Sequence, residues 1–234
     1  SQIYSNLMKV LGSFLFILLF STFSFGQYDI QGKIKGLSKS EVYLAHYFGY
    51  NQQVIKDTVM ANEDGEFRFK GSDQLPKGLY LISFLKSKFI DVVVEEPNFS
   101  FSLDTANILQ SISFQNSPEN SAFYTFQKRM NDLYTAINQP NVVPARKQSL
   151  IAEVQQFQKQ WKATNSRLFV SKLIESSFDP EIPVYNGSLK NKADSTKMQL
   201  FQYHYYKKHY FDGMDLADER MVRTPFLQRK LERF

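Results

Sequence analysis

The chain has 234 residues, 43% hydrophobic and 15% aromatic, enough for one large domain or two small ones and too apolar for a disordered segment. Its 28 basic and 23 acidic residues leave a net charge of +5, an interspersed excess unlike the one-sided basic face of a dedicated nucleic-acid binder. No cysteine is present, which excludes disulfides, Cys-x-x-Cys redox chemistry, thiolate metal sites and lipid attachment through a cysteine after a leader.

The first expected element is a secretory signal peptide. "MKVLGSFLFILLFSTFSFGQ" starts at Met8, places Lys9 in a basic n-region and runs apolar from Val10 to about Phe20. Ser24 and Gly26 stand where a signal peptidase reads small side chains, and Ser21, Thr22 and Ser24 break the run before it could span a bilayer. Residues 1–26 therefore read as upstream residues plus signal, and the chain as exported to the periplasm or outer envelope. Without them 27 basic residues face 23 acidic ones, an excess of four. No later segment is apolar enough to cross a membrane, so none remains after signal cleavage.

From Tyr28 to about Phe114 the hydrophobic period is two. "YDIQGKIKG", "EVYLAHYF", "QVIKDTVMA", "EFRFKG", "GLYLISFLK", "KFIDVVVEE", "FSFSLD" and "SISF" follow one another with Gly, Pro, Asn and Ser between them. Asp64-Gly65 between two alternating runs predicts a hairpin. Short strands at this spacing predict an antiparallel β-sandwich over residues 27–116.

Beyond Asn116 the period becomes helical, predicting an all-helical domain over 117–234 and an α+β chain. Ser117 is placed as N-cap and Pro118 at N1 of a helix whose stripe is Phe123, Phe126, Met130, Leu133 and Ile137. A second helix carries Leu150, Val154, Phe157 and Trp161, a third begins near Asn165, and a fourth is "STKMQLFQYHYYKKHYF". The bundle is expected to lie against one sheet. In "HYFDGMDLADERMVRTPF" the unusual residues all have local structural roles. Asp212-Gly213 reads as a left-handed helix exit, Asp215 and Asp218 as caps, and Thr224-Pro225 as cap and N1 of a last helix.

Little of this resembles chemistry. His204 and His209 are five apart and do not share a helix face, and His46 lies on a strand. Asp212, Asp215, Asp218 and Glu219 lack the alternation and central glycine of a calcium loop. Glu95 and Glu96 are adjacent on a strand and point to opposite faces, so they cannot flank one bond. No phosphate loop, nucleophile elbow or triad ordering appears. No residue is assigned to catalysis, to a cofactor or to a metal. The remaining candidate is the aromatic and basic run "YHYYKKHYF". Tyr203, Tyr205, Tyr206 and Tyr210 form either a stacking surface for a glycan or peptide or, on the blander reading, a helix wedged between sheet and bundle with its hydroxyls and ammonium groups in water.

The blocks "YDIQGKIKGLSKSEVYLAHYFGYNQQVIKDTVMANEDGEFRFKG" and "LPKGLYLI", followed by "FQNSPENSAFYTF", "DPEIP" and "HYFDGMDLADERMVRTPF", resemble a family. It is the β-sandwich domain of unknown function 4369 of Bacteroidetes-type envelope proteins, followed by a helical domain. In such proteins a thioredoxin-like domain commonly comes next and carries the Cys-x-x-Cys pair for thiol–disulfide exchange. The resemblance thus implies a non-catalytic accessory or scaffold region, cut before a thioredoxin-like domain that serves as partner in cis or in trans. The alternative reading is a free-standing envelope protein that binds a glycan or peptide through the aromatic helix face. Neither reading involves nucleic acid.

Overall fold

The structure is a computed structural model that describes residues 28–49 and 52–234. The expected signal peptide lies outside the described residues. Among these, no helix is long and apolar enough to cross a membrane.

Eight strands come first: β1 Tyr28–Lys35, β2 Glu41–Phe48, β3 Gln52–Met60, β4 Glu66–Gly71, β5 Gly78–Phe84, β6 Lys88–Val94, β7 Asn98–Asp104 and β8 Ser113–Gln115. A short helix, α1 Ile108–Ser111, precedes β8 and was not expected. The helical region follows with α2 Pro118–Ile137, α3 Pro144–Asn165, α4 Phe169–Ser176, α5 Lys192–His209, α6 Glu219–Val222 and α7 Pro225–Arg233. The α+β class, a two-sheet β region before a helical one, is as read from the periodicities.

The sheets have orders β4-β1-β7-β8 and β3-β2-β5-β6. The expectation of a wholly antiparallel sandwich is corrected at one place, because β1 and β7 pair in parallel from Asp29↔Asn98 to Lys35↔Asp104. The predicted Asp64-Gly65 hairpin is also corrected: β3 and β4 lie in different sheets, so the turn is a corner between them. Asn62 Oδ1 accepts from the amides of Asp64 and Glu66, while Gly65 O accepts from Ile34 N at 2.9 Å. Gly65 has φ +74°, and a Cβ there would stand 2.1 Å from Ile34 O. That backbone approach, rather than hairpin closure, demands the glycine.

Alternation explains the first sheet. Ile30, Ile34, Phe67, Phe69, Phe99, Phe101 and Leu103 point inward and are buried, while Lys33, Glu66, Arg68 and Ser102 point to solvent. In the second sheet β5 is covered on both faces, which is why "GLYLISF" reads as a nearly unbroken apolar run. Val42, Leu44, Ile82, Ile90 and Val92 share the face toward the first sheet. Leu79, Leu81, Asp91 and Val93 share the other and meet the helices, so the layers run sheet, sheet, helices.

Helix α2 begins as predicted, with Ser117 Oγ accepting from Asn120 N and Pro118 in the first turn. It covers the edge strands β6 and β8. Asn120, with 0% exposure, acts like a strand neighbour of β6: Oδ1 accepts from Val93 N at 2.7 Å and Nδ2 donates to Val93 O at 2.8 Å. Tyr124 stacks on Phe114 at 5.4 Å, and its hydroxyl donates to Asp91 O. Beside it Glu119, 5% exposed, accepts from Phe169 N and Val170 N at 2.9 and 2.8 Å. Helix α4 has no side-chain cap of its own, so α2 supplies one. Burial pushes the Glu119 carboxyl up, against the pull of those two amides.

Candidate functional site

The stretch around residues 209–226 does more than punctuate helices. Asp218 does cap α6, accepting from Arg220 N at 3.1 Å, and its carboxylate also takes Arg220 Nε at 2.8 Å and Nη2 at 2.6 Å. Arg220 Nη1 reaches Glu95 at the end of β6, 2.8 Å away, and its guanidinium lies 4.2 Å from the Phe169 ring. Lys172 of α4 donates to both Asp215 and Asp218. These residues tie sandwich, α4 and α6 together. Glu96 accepts separately from the Ser117 hydroxyl; the expected strand placement of the two glutamates is corrected, since β6 ends at Val94 and both lie in the bend before β7.

Two further local readings are corrected. Gly213 does not take a left-handed exit; a Cβ there would stand 2.9 Å from Glu175 O, so close packing selects it. Thr224 stands before Pro225, yet its hydroxyl donates backward to Met221 O instead of capping α7.

The guanidinium beside Asp218 holds its carboxyl well below the usual carboxylate range, opposed by partial burial. Such a depressed group contributes stability above its unfolded-state value, and the contribution disappears as pH falls toward the folded one. Asp218→Asn is expected to cost about 2 kcal/mol at neutral pH, the scale of hydrogen bonds to a charged group. The gap between wild type and variant should then begin to narrow below about pH 4, where unfolded aspartate protonates, and go on shrinking toward pH 2.5. Urea unfolding of both proteins between pH 7 and 2.5 checks this, and a gap independent of pH would contradict it.

Beside the aromatic run lies an open polar cleft of about 600 Å3. Its walls come from α3, α4, the Phe178–Glu181 loop, the end of α5 and Lys230 of α7. Tyr205 stacks on His209 with centroids 4.2 Å apart, one turn along α5. His209 Nδ1 pairs with Asp212 at 2.5 Å, and Lys162 pairs with Glu175 at 3.2 Å. Lys230 is buried, and its ammonium donates to Phe178 O and Tyr210 O near the C-terminal ends of α4 and α5, where a cation is favoured. Burial lowers its pKa. The wall has stacking faces and charged donors and acceptors, but no serine, threonine or cysteine to act as nucleophile.

The four tyrosines do not form one surface. Tyr205 and Tyr210 line the cleft. Tyr206 is half-buried and donates to Asp179 at 3.2 Å, and burial beside that carboxylate raises its pKa. Tyr203 is 55% exposed, with Lys207 over its ring and the His204 ring edge-on to it, each 5.6 Å from its centroid. Tyr210, 2% exposed, is a core residue just past the helix. The expected wedging of α5 between sheet and bundle is corrected: no residue of Lys192–His209 is buried, and the helix packs through its C-terminal end. Its aromatics surround the axis instead of forming a stripe, so no face could be buried without also burying its lysines. Among the described residues no group of three or more His, Asp or Glu is placed to hold a metal ion.

No curated protein matches the chain. Among solved structures, (S)-allantoin synthase aligns at 13% identity and TM-score 0.29, covering 42% of this chain and 47% of its own. The 5-hydroxyisourate hydrolase of Klebsiella pneumoniae aligns at 13% identity and TM-score 0.25, covering 40% of this chain and 95% of its own. This chain thus spans about half the length of the synthase, and likenesses this weak carry no argument about fold or activity. The family comparison does locate a domain. It runs from the start of β1 past the sandwich to Phe123, taking in the α2 residues that grip β6 and α4, and by that match residues 28–123 form a domain described as Domain of unknown function (DUF4369).

Proposed function

We propose that the chain is a non-catalytic scaffold, the N-terminal accessory region of an exported thiol–disulfide interchange protein whose thioredoxin-like domain acts in cis or in trans. The observation that carries the reading is the joint between sandwich and helices. Buried Asn120 and Glu119 and the partly buried Glu95–Arg220–Asp218 ion pairs make it a rigid connection of satisfied polar groups. A scaffold requires such stiffness, and a chain without cysteine can carry no thiol chemistry itself. The resemblance of the sequence blocks to envelope proteins supports the rest. An in-frame continuation past codon 234, or an adjacent gene, is expected to encode a Cys-x-x-Cys thioredoxin-like domain, and finding neither in the genomic DNA overturns the assignment. Insulin reduction with dithiothreitol should not exceed background when the purified chain is added.

A second reading, an envelope glycan- or peptide-binding protein, is favoured by the Tyr205–His209 stack in the wall of an open polar cleft. Tyr205→Ala should weaken a glycan-array or fluorescence-titration signal at least tenfold while lowering stability by less than about 1.5 kcal/mol, since the ring is only half-buried. Loss of the fold in that variant would show that the ring serves packing.

A further inference from the structure

A second cavity lies where the helices cover the second sheet. It holds about 260 Å3 between β6, α2, α4 and α7. Phe123, Phe126, Met130, Ile174 and Phe226 supply apolar walls, and Asp91 of β6 is the carboxylate in the lining. Tyr47 donates to Asp91 Oδ1 at 2.7 Å, and Oδ2 has no hydrogen-bond partner among the described residues. No fully buried side-chain oxygen there is left without a partner, so Oδ2 is reached from open space. Arg229 is near enough to act on the Tyr47 hydroxyl, yet makes no ion pair with Asp91 among the described residues.

We propose that this cavity binds a small apolar organic amine, as its ammonium, with the cation on Asp91 and the hydrocarbon against the phenylalanine walls. A carboxylate facing an apolar cavity lacks a counter-charge, and an ammonium supplies both the charge and N–H donors. Aromatic faces add attraction for a cation and none for an anion. The size suits a single aromatic or branched group, below the usual range for drug-sized ligands. A bare divalent metal ion does not fit, because one carboxylate with the neutral side chains of Gln127 and Ser177 cannot replace its oxygen shell. Burial already pushes the Asp91 carboxyl up, as expected for a charge that has not met its partner.

The test is calorimetric titration of the folded chain at pH 7 with 2-phenylethylammonium and with 2-phenylethanol, which matches it in shape without the charge. The ammonium should bind saturably and at least tenfold more tightly than the alcohol. Asp91→Asn should reduce the ammonium to the level of the alcohol. Equal binding of the two ligands, or no saturable binding of the ammonium, overturns the proposal. Should Asp91→Asn fail to fold, Met130→Trp, which fills the cavity from α2, must abolish ammonium binding. Undiminished binding in that variant also overturns it.

Discussion

Asn120→Leu should lower the unfolding free energy by about 3 kcal/mol, because two hydrogen bonds to a buried strand edge vanish and leave Val93 N–H and C=O unpaired at roughly 1–3 kcal/mol each. The side chain has 0% exposure, and its amide also donates to Ser117 Oγ at 2.8 Å, so no water replaces it. Leucine has the same branching and is no smaller than asparagine, which keeps a cavity from supplying the loss. The melting temperature should fall by about 6–12 °C at this chain length. Ser117→Ala, which removes the helix cap and the hydroxyl's bonds to Glu96 and the Asn120 side chain but leaves both bonds to Val93, should cost about 1 kcal/mol. Urea denaturation of both variants decides. Equal losses would mean that Asn120 matters only as part of the cap and not as a clamp on β6.

Glu119→Ala is expected to be comparably severe, about 3 kcal/mol, since it strips the acceptors from the first two amides of α4 and opens a void. Glu119→Gln should cost less, about 1–2 kcal/mol, because one oxygen still accepts while the new amide group faces an N–H it cannot pair with. The damage should be local. Amide hydrogen exchange at Phe169 and Val170 should quicken far more than at Ile30 or Ile82, which sit in the sandwich core. Uniform loss of protection would show that α4 does not rely on this carboxylate for its start.

Both residues stood in plain view in "SPENSAF", where they looked like ordinary first-turn residues of a helix. Ser117 was legible because its partner is Asn120 N, three residues away. The partners of Asn120 and Glu119 lie 27 and 50 residues away, and that of Arg220 lies 125 away on Glu95. A run of mixed charges such as "DLADERMV" hints at ion pairing without saying with whom. Two cavities likewise had no signature, since Asp91 in "KFIDVVV" reads as one polar residue on a strand. The tyrosines failed in the opposite sense: "YHYYKKHY" looks like a surface, yet one helix distributes those rings between cleft, core and solvent.

What the sequence determined by itself is local: the change of period near Asn116, the strands, the cap and proline opening α2, and the lack of thiol chemistry. These follow from backbone geometry and composition, which act over a few residues. Tertiary structure alone decided that β1 lies parallel to β7, that Asp64-Gly65 turns a corner between sheets, and that α2 holds both β6 and α4. Each depends on which distant backbone group is left unpaired after the layers pack, and hydrophobic periodicity carries no record of that.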